Sequence, residues 1–283
     1  MKRLLFVILM LAPGLVIAQT GRPLAVAAAD SLPPFVVPGG AVSSMFPTTL
    51  PVEARSQLAL PAPTALPQMA PGLALETYQQ RVARQNADLV SYSATTLIHA
   101  QLPDTSQSGE LELQRRYAAP HSLQFKAIHY TGDGFVKNNV ITRLLQSEAD
   151  HVQKDDTSLT AITPANYKFT HKGTRQMEGR MAHVYEVKPR KKRAGLFKGR
   201  IYLDACSGSL VRVEGSLVKA PSFFIKQIDF VQDYAEFGGF TFPVHIHSEA
   251  RTRIIGRAIV DIEYRDYQPV ASTVQSAQQM PAL

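Results

Sequence analysis

Residue types that do chemistry are scarce at useful spacings in this chain. Ser216-Leu217-Val218-Lys219 has the Ser-x-x-Lys spacing of penicillin-recognising serine enzymes, where the motif opens a helix so that serine and lysine share a face. Here it lies in a strand-like alternation. The companion Ser-Asp-Asn and Lys-Thr-Gly motifs are absent, and Lys172-Gly173-Thr174 has the wrong order. His245-x-His247 puts two imidazoles on one side of a strand whose other side carries Phe242, Val244 and Ile246. Two ligands do not make a site, and no carboxylate or cysteine is locally fixed to complete it. Cys206 is the single cysteine, so an intramolecular disulfide and a multi-cysteine metal site are both impossible. It sits in a turn beside Ser207 and Gly208, with no base to activate the thiol. Asp155-Asp156 and Glu148/Asp150 are acidic spots at a helix end without a paired acid and base. Neither Gly-x-Ser-x-Gly, His-Glu-x-x-His nor a glycine-rich phosphate loop occurs. The expectation is a non-enzymatic protein without catalytic residues, metal or cofactor.

The strongest local anomaly is Lys188-Pro189-Arg190-Lys191-Lys192-Arg193, five cations in six residues. One reading is a solvated hairpin loop. The other is docking through Lys188, Arg190, Lys191, Lys192 and Arg193 on an anionic membrane surface or acidic partner, where each cation contributes on the order of 1 kcal/mol. The start of the chain favours export and disfavours nucleic acid. Met1-Lys2-Arg3 is a short positive region, Leu4 to Val16 is apolar, and Val16-Ile17-Ala18 precedes Gln19. That is the pattern of a secretory signal peptide cleaved after Ala18, which predicts a periplasmic or secreted protein. The apolar run is shorter than the ~20 residues of a spanning helix.

The elements that would position any site follow from composition and periodicity. The chain has 283 residues, 45% apolar, with 30 Lys and Arg against 23 Asp and Glu, a net charge of +7. Apolar content suffices for a core. Residues 19–72 hold ten of the 19 prolines, which predicts a disordered linker. A folded domain is expected over 73–268 and a flexible tail over 269–283. Leu75, Tyr78, Val82 and Leu89 share a helical face and predict a helix over about 74–89. Val140, Ile141, Leu144, Leu145, Ala149 and Val152 predict a second over about 139–152, capped by Asn138 or Asn139. Period-two alternation predicts strands around 92–102, 111–114 and 123–127, and over 180–188, 197–204, 209–218, 222–234, 240–248 and 253–266. In the last, Ile254, Ala258, Val260, Ile262 and Tyr264 share one side. Turns fall at Pro103-Asp104, Asp204–Gly208 and Gly238-Gly239. Short connections between alternating strands mean an antiparallel meander. So many strands should curl rather than lie flat.

Several segments together resemble the periplasmic lipoprotein-sorting superfamily, LolA/LolB-like in fold. They are Gly109-Glu-Leu-Glu-Leu113, Asn166-Tyr-Lys-Phe169, Gly195-Leu-Phe-Lys-Gly-Arg-Ile-Tyr-Leu-Asp204, Gly208-Ser-Leu-Val-Arg-Val-Glu214, Pro221-Ser-Phe-Phe-Ile-Lys226 and the alternation closing at Tyr267. The resemblance implies a mainly β, α+β fold: a curled antiparallel sheet forming an incomplete β-barrel, with helices on the concave side. It implies a monomeric carrier or binding protein for lipoprotein acyl chains or other lipids in outer-membrane sorting. Its partners would be those lipids and sorting proteins of the inner or outer membrane. By alternation, the cavity side chains would be Leu144, Leu145, Phe125, Phe224, Phe230, Phe242, Val260 and Ile262. Two alternatives stand beside it. One is a periplasmic sensor or scaffold whose half-barrel binds a protein partner. The other is a hydrolase of unknown class.

Overall fold

The computed structural model of the protein describes residues 67–154, 157–220 and 223–272. The expected signal peptide (1–18), all but the last six residues of the expected linker, residues 273–283 and the Asp155-Asp156 pair lie outside the described residues.

A helix, α1 (Pro71–Asp88), runs without a loop into β1 (Leu89–Leu102). Pro71 occupies its first turn, where proline's missing N–H is no loss. The helix therefore starts ahead of residue 74, and residues 71 and 72 belong to it rather than to a linker. Then come β2 (Gln107–Ala118) and β3 (Ser122–Gly132). The next segment carries α2 (Gly134–Val136), a π-helical turn over Lys137–Ile141, α3 (Thr142–Gln153) and α4 (Thr157–Thr160). Six strands follow in sequence: β4 (Tyr167–Met177), β5 (Arg180–Pro189), β6 (Phe197–Asp204), β7 (Leu210–Leu217), β8 (Ile225–Phe237) and β9 (Phe240–Thr252). The last strand is β10 (Arg257–Ala271).

All ten strands form one antiparallel sheet in the order β3-β2-β1-β10-β9-β8-β7-β6-β5-β4. It does not close, so the fold is an incomplete β-barrel. Its free edges are β3 and β4, which are consecutive in sequence. The segment joining them, residues 133–166, must therefore travel from one edge to the other. Its helical residues Val136, Val140, Ile141 and Leu144 join the inner-face residues of the sheet in one buried cluster, so the helices lie over the concave side.

Alternation explains the inner face. Ala94, Thr96, Ile98, Ala100 and Leu102 are buried along β1, and Ala258, Val260, Ile262 and Tyr264 along β10. Two clusters result. One lies under the π turn and α3 and draws on β1, β2, β9 and β10. The other lies under α1 and draws on β4–β8 around Tyr167, Phe197 and Phe230. At Gly238-Gly239, φ values of 57° and 84° turn β8 into β9 in two residues, the conformation such hairpins require.

One strand was not expected and three expectations are corrected. β4 escapes a reading by alternation because it is an edge strand with few inward apolar side chains. Ile254 is exposed and lies in the β9–β10 turn, because β9 runs on to Thr252 and Thr252 closes the turn on the Gly256 carbonyl. The second helical segment begins at Gly134, and neither Asn138 nor Asn139 caps it. Residues 269–271 extend β10 rather than forming tail, because they pair with β1 between Leu89 and Tyr92.

Candidate functional site

The concave face under α3 is where chemistry and packing depart from a plain core. Val136, Val140, Ile141 and Leu144 bury against Ala100, Leu102, Val260 and Ile262. Past Leu144 the sheet-facing stripe turns polar: Ser147, Glu148 and His151 are buried. They follow Leu144 at helical spacings of three, four and seven. The stripe expected from apolar residues alone is thus rotated, and Leu145 is only partly buried.

The cause is Arg115. On β2 the inward positions run Gly109, Leu111, Leu113, Arg115, Tyr117, so an arginine stands where the pattern calls for an apolar residue. It is 5% exposed, and Glu148 is 8% exposed. The two form a bidentate pair: Arg115 Nη1 donates to Glu148 Oε1, and Nη2 donates to Oε2 at 2.6 Å. The guanidinium carbon lies 5.3 Å from the Phe125 ring centroid and 5.0 Å from that of Tyr264. Burial opposes the Arg115 charge. The Glu148 carboxylate more than restores it, holding the guanidinium above its ordinary range. A planar fork on a carboxylate between aromatic faces is well matched in geometry. It is also fragile, because removing either partner strands a buried charge.

Aromatic rings extend the site toward the β8–β9 turn. Tyr92 stacks on Tyr117 at 5.3 Å, and Phe242 on Tyr267 at 4.4 Å. Phe237 joins Tyr267 at 5.1 Å. The Tyr267 hydroxyl donates to the Pro243 carbonyl at 2.9 Å. Burial raises the Tyr92, Tyr264 and Tyr267 hydroxyls above the ordinary tyrosine range.

The structure brings together six of the eight expected cavity residues. Leu144, Phe242, Val260 and Ile262 lie in the cluster under α3, and Leu145 and Phe125 pack on its margin. Phe230 lies in the α1 cluster, edge-on to Phe197 at 5.3 Å. Phe224 precedes β8 and packs edge-on against Phe223, outside both clusters. The alternation expected from residue 222 begins only at Ile225. The side chains under α3 belong to one buried cluster, and in this arrangement the helix occupies the concave face.

The basic run is the β5–β6 connection. Two of its cations hold local structure: Arg190 donates to the Pro164 carbonyl at 2.7 Å, and Arg193 to the Leu159 carbonyl at 3.2 Å. Lys188 pairs with Glu186 at 2.9 Å. Lys191 and Lys192 are exposed.

His245 and His247 lie on the outer face of β9. His247 Nδ1 is 2.6 Å from Asp261 Oδ1, and His245 Nδ1 is 3.7 Å from Asp233 Oδ2. Among the described residues, no three His, Cys, Asp or Glu side chains are placed to hold a metal ion. Ser216 lies in β7 and donates to Asp229 at 2.5 Å. Cys206 sits in the β6–β7 turn, its N–H donating to Asp204 Oδ1 at 2.9 Å.

Sequence reasoning missed Arg115 and Glu148 as a pair. Two signals were present: a cation on the inward parity of β2, and a carboxylate four residues after Leu144. The pairing itself spans 33 residues and belongs to the tertiary structure.

No family model and no curated protein matches the chain. Solved structures do. It is similar to a DUF1329 family protein from Desulfovibrio piger, with 9% identity and a TM-score of 0.37 over 70% of this chain and 92% of that one. It is also similar to a LolA superfamily protein from Nitrosomonas europaea, with 8% identity and a TM-score of 0.33 over 70% of this chain and 92% of that one. At these levels the likeness bears on neither ligand nor partner.

Proposed function

We propose that the protein is a non-enzymatic, exported carrier for acyl chains of lipoproteins or other lipids, cleaved after Ala18. The α2–α3 segment would be the cover that a ligand displaces. The observation that carries this reading is the buried Arg115–Glu148 pair, which fastens α3 to β2 beyond the apolar stripe that ends at Leu144. A structural helix on an apolar sheet needs no such fastening. Replacing a buried pair with well-packed apolar residues is commonly neutral or stabilising. A polar fastening suits a helix that must leave and return, because both charges regain water when it lifts.

Magnitudes narrow the ligand. Lifting the cover exposes Val136, Val140, Ile141 and Leu144, at roughly 1.5–3 kcal/mol each. Sealing the same face with an acyl chain gains roughly 0.8 kcal/mol per methylene. One chain of about 15 methylenes therefore roughly balances the exchange once ordering costs are included, and two chains exceed it. The proposed ligand carries at least two acyl chains, seated against Phe242, Val260 and Ile262.

The filled concave face also favours a second reading, in which the half-barrel is a permanently closed scaffold that binds a protein partner. A fluorescent diacyl lipopeptide separates the two. The carrier should take it up at micromolar concentration and take up a single fatty acid more weakly. Arg115→Met with Glu148→Leu should fold with greater stability and lose uptake by about fivefold or more, since the closed state is then favoured by about 1–4 kcal/mol. Absence of uptake by the wild type would leave the scaffold reading in its place.

A further inference from the structure

The face of β4–β7 turned away from α1 is recessed into an open groove of about 1160 Å³. Its floor is apolar and tightly built. Val184 and Tyr202 are buried there, packed with Ala182 and Val211 in a small cluster of their own on this side of the sheet. Gly199 faces Gly215 across β6 and β7. A Cβ on Gly199 would stand 2.0 Å from the Glu214 carbonyl oxygen, so the two strands lie too close there for any side chain.

The walls are cationic. Lys172, Arg175, Lys188, Lys192, Lys198 and Arg200 line the groove against only two carboxylates, Glu186 and Glu214. Six positive charges less two negative leave four, out of a net +7 for the whole chain. Most of the protein's basic excess is therefore gathered at one place. The carboxylates are already engaged. Glu186 bonds Lys188 and Lys172, each at 2.9 Å. Hydrogen bonds from Lys188 and then Lys172 hold its carboxyl down to about 2. Glu214 accepts from Tyr202 at 2.7 Å and from Arg200 at 3.4 Å. Lys188 and Lys192, from the basic loop, are continuous with this wall.

We propose that the groove binds an extended acidic segment of a protein partner. Four uncompensated cations around a recess call for an anionic occupant, and the shape selects its form. A bilayer is flat at this scale, so it would meet the rim lysines and leave the floor and the recess hydrated. A chain enters. Four strands at ~4.8 Å spacing give a width of about 14 Å, which an extended peptide at ~3.3 Å per residue crosses in about four residues. A short run of Asp and Glu therefore supplies the matching charge, and its aliphatic stems cover Val184 and Tyr202. The groove lies on the opposite side of the sheet from α3, so this inference stands or falls separately from the carrier reading.

The test is fluorescence anisotropy of the full chain with a labelled octapeptide of alternating Asp and Glu. Binding in the micromolar range is expected at about 50 mM salt, falling at least tenfold by about 300 mM, where screening shortens to a few ångströms. Lys192→Glu with Lys198→Glu should weaken it at least tenfold with an unchanged melting temperature. Lys126→Glu with Lys226→Glu makes the same charge change on exposed residues elsewhere, and binding should stay within about threefold. Equal loss in both double variants would reduce the effect to net charge and overturn the proposal. So would absence of peptide binding at low salt. Binding of anionic phosphatidylglycerol vesicles that depends on Lys192 and Lys198, without peptide binding, would replace it with a membrane contact.

Discussion

The helices over the two halves of the concave face are held by opposite chemistry. Over β4–β8, α1 is continuous with β1 and tied by neutral hydrogen bonds. Gln85 exchanges two with the Thr241 backbone, at 2.8 and 3.0 Å. The Tyr185 hydroxyl donates to the Pro71 carbonyl at 2.5 Å, and the Ser272 N–H donates to the Asp88 carbonyl at 2.8 Å. Its ion pair, Arg81 with Glu236, is partly exposed and of the kind worth little. At the β2–β3 side of the sheet, α3 hangs between two connections and carries one buried ion pair, with Ser147 and His151 buried beside it. The first helix can leave only by breaking backbone contacts spread along its length. The second can leave by exchanging one pair of charges with water and exposing the short apolar stripe of Val136, Val140, Ile141 and Leu144. On the carrier reading, a single sheet carries a fixed wall and a releasable one.

The difference can be broken at either helix, and the largest effect is expected at the ion pair. Glu148→Ala strands the Arg115 charge and should cost about 3–5 kcal/mol in a denaturant melt if α3 stays seated. If α3 releases instead, the loss is smaller and amides 142–153 exchange rapidly while those of 71–88 stay protected. Equal deprotection of both helices would show that the halves are not distinct. Gln85→Ala should cost less, about 1–2 kcal/mol for two partly buried hydrogen bonds, without changing exchange in α3. Loosening of α3 by that substitution would tie the two walls together.

Much of the fold was legible because its information is local. The turn at Gly238-Gly239, the strand Phe197–Asp204 and the inward parity of Ala258, Val260 and Ile262 each rest on neighbouring residues. What was illegible rests on contacts distant in sequence. Phe125 and Phe230 have equal claims by alternation, yet the sheet order sends one to the α3 cluster margin and the other under α1. Glu148 has the appearance of a solvent-facing acid until Arg115 is placed opposite it. The groove cations come from β4, β5, the β5–β6 connection and β6, and only the basic run among them is contiguous in sequence. Lys198 and Arg200 gain their meaning from lying on the same side of the sheet as Lys172.

On the carrier reading, α3, and not α1, is the cover a ligand displaces. Site-resolved hydrogen exchange on the full chain, with and without a saturating diacyl lipopeptide, tests it most directly. Ligand should speed exchange across 142–153 by tenfold or more, while 71–88 and the β1–β10 amides are unchanged or slowed. Ligand bound with α3 as protected as before, or with α1 deprotected in its place, would contradict it.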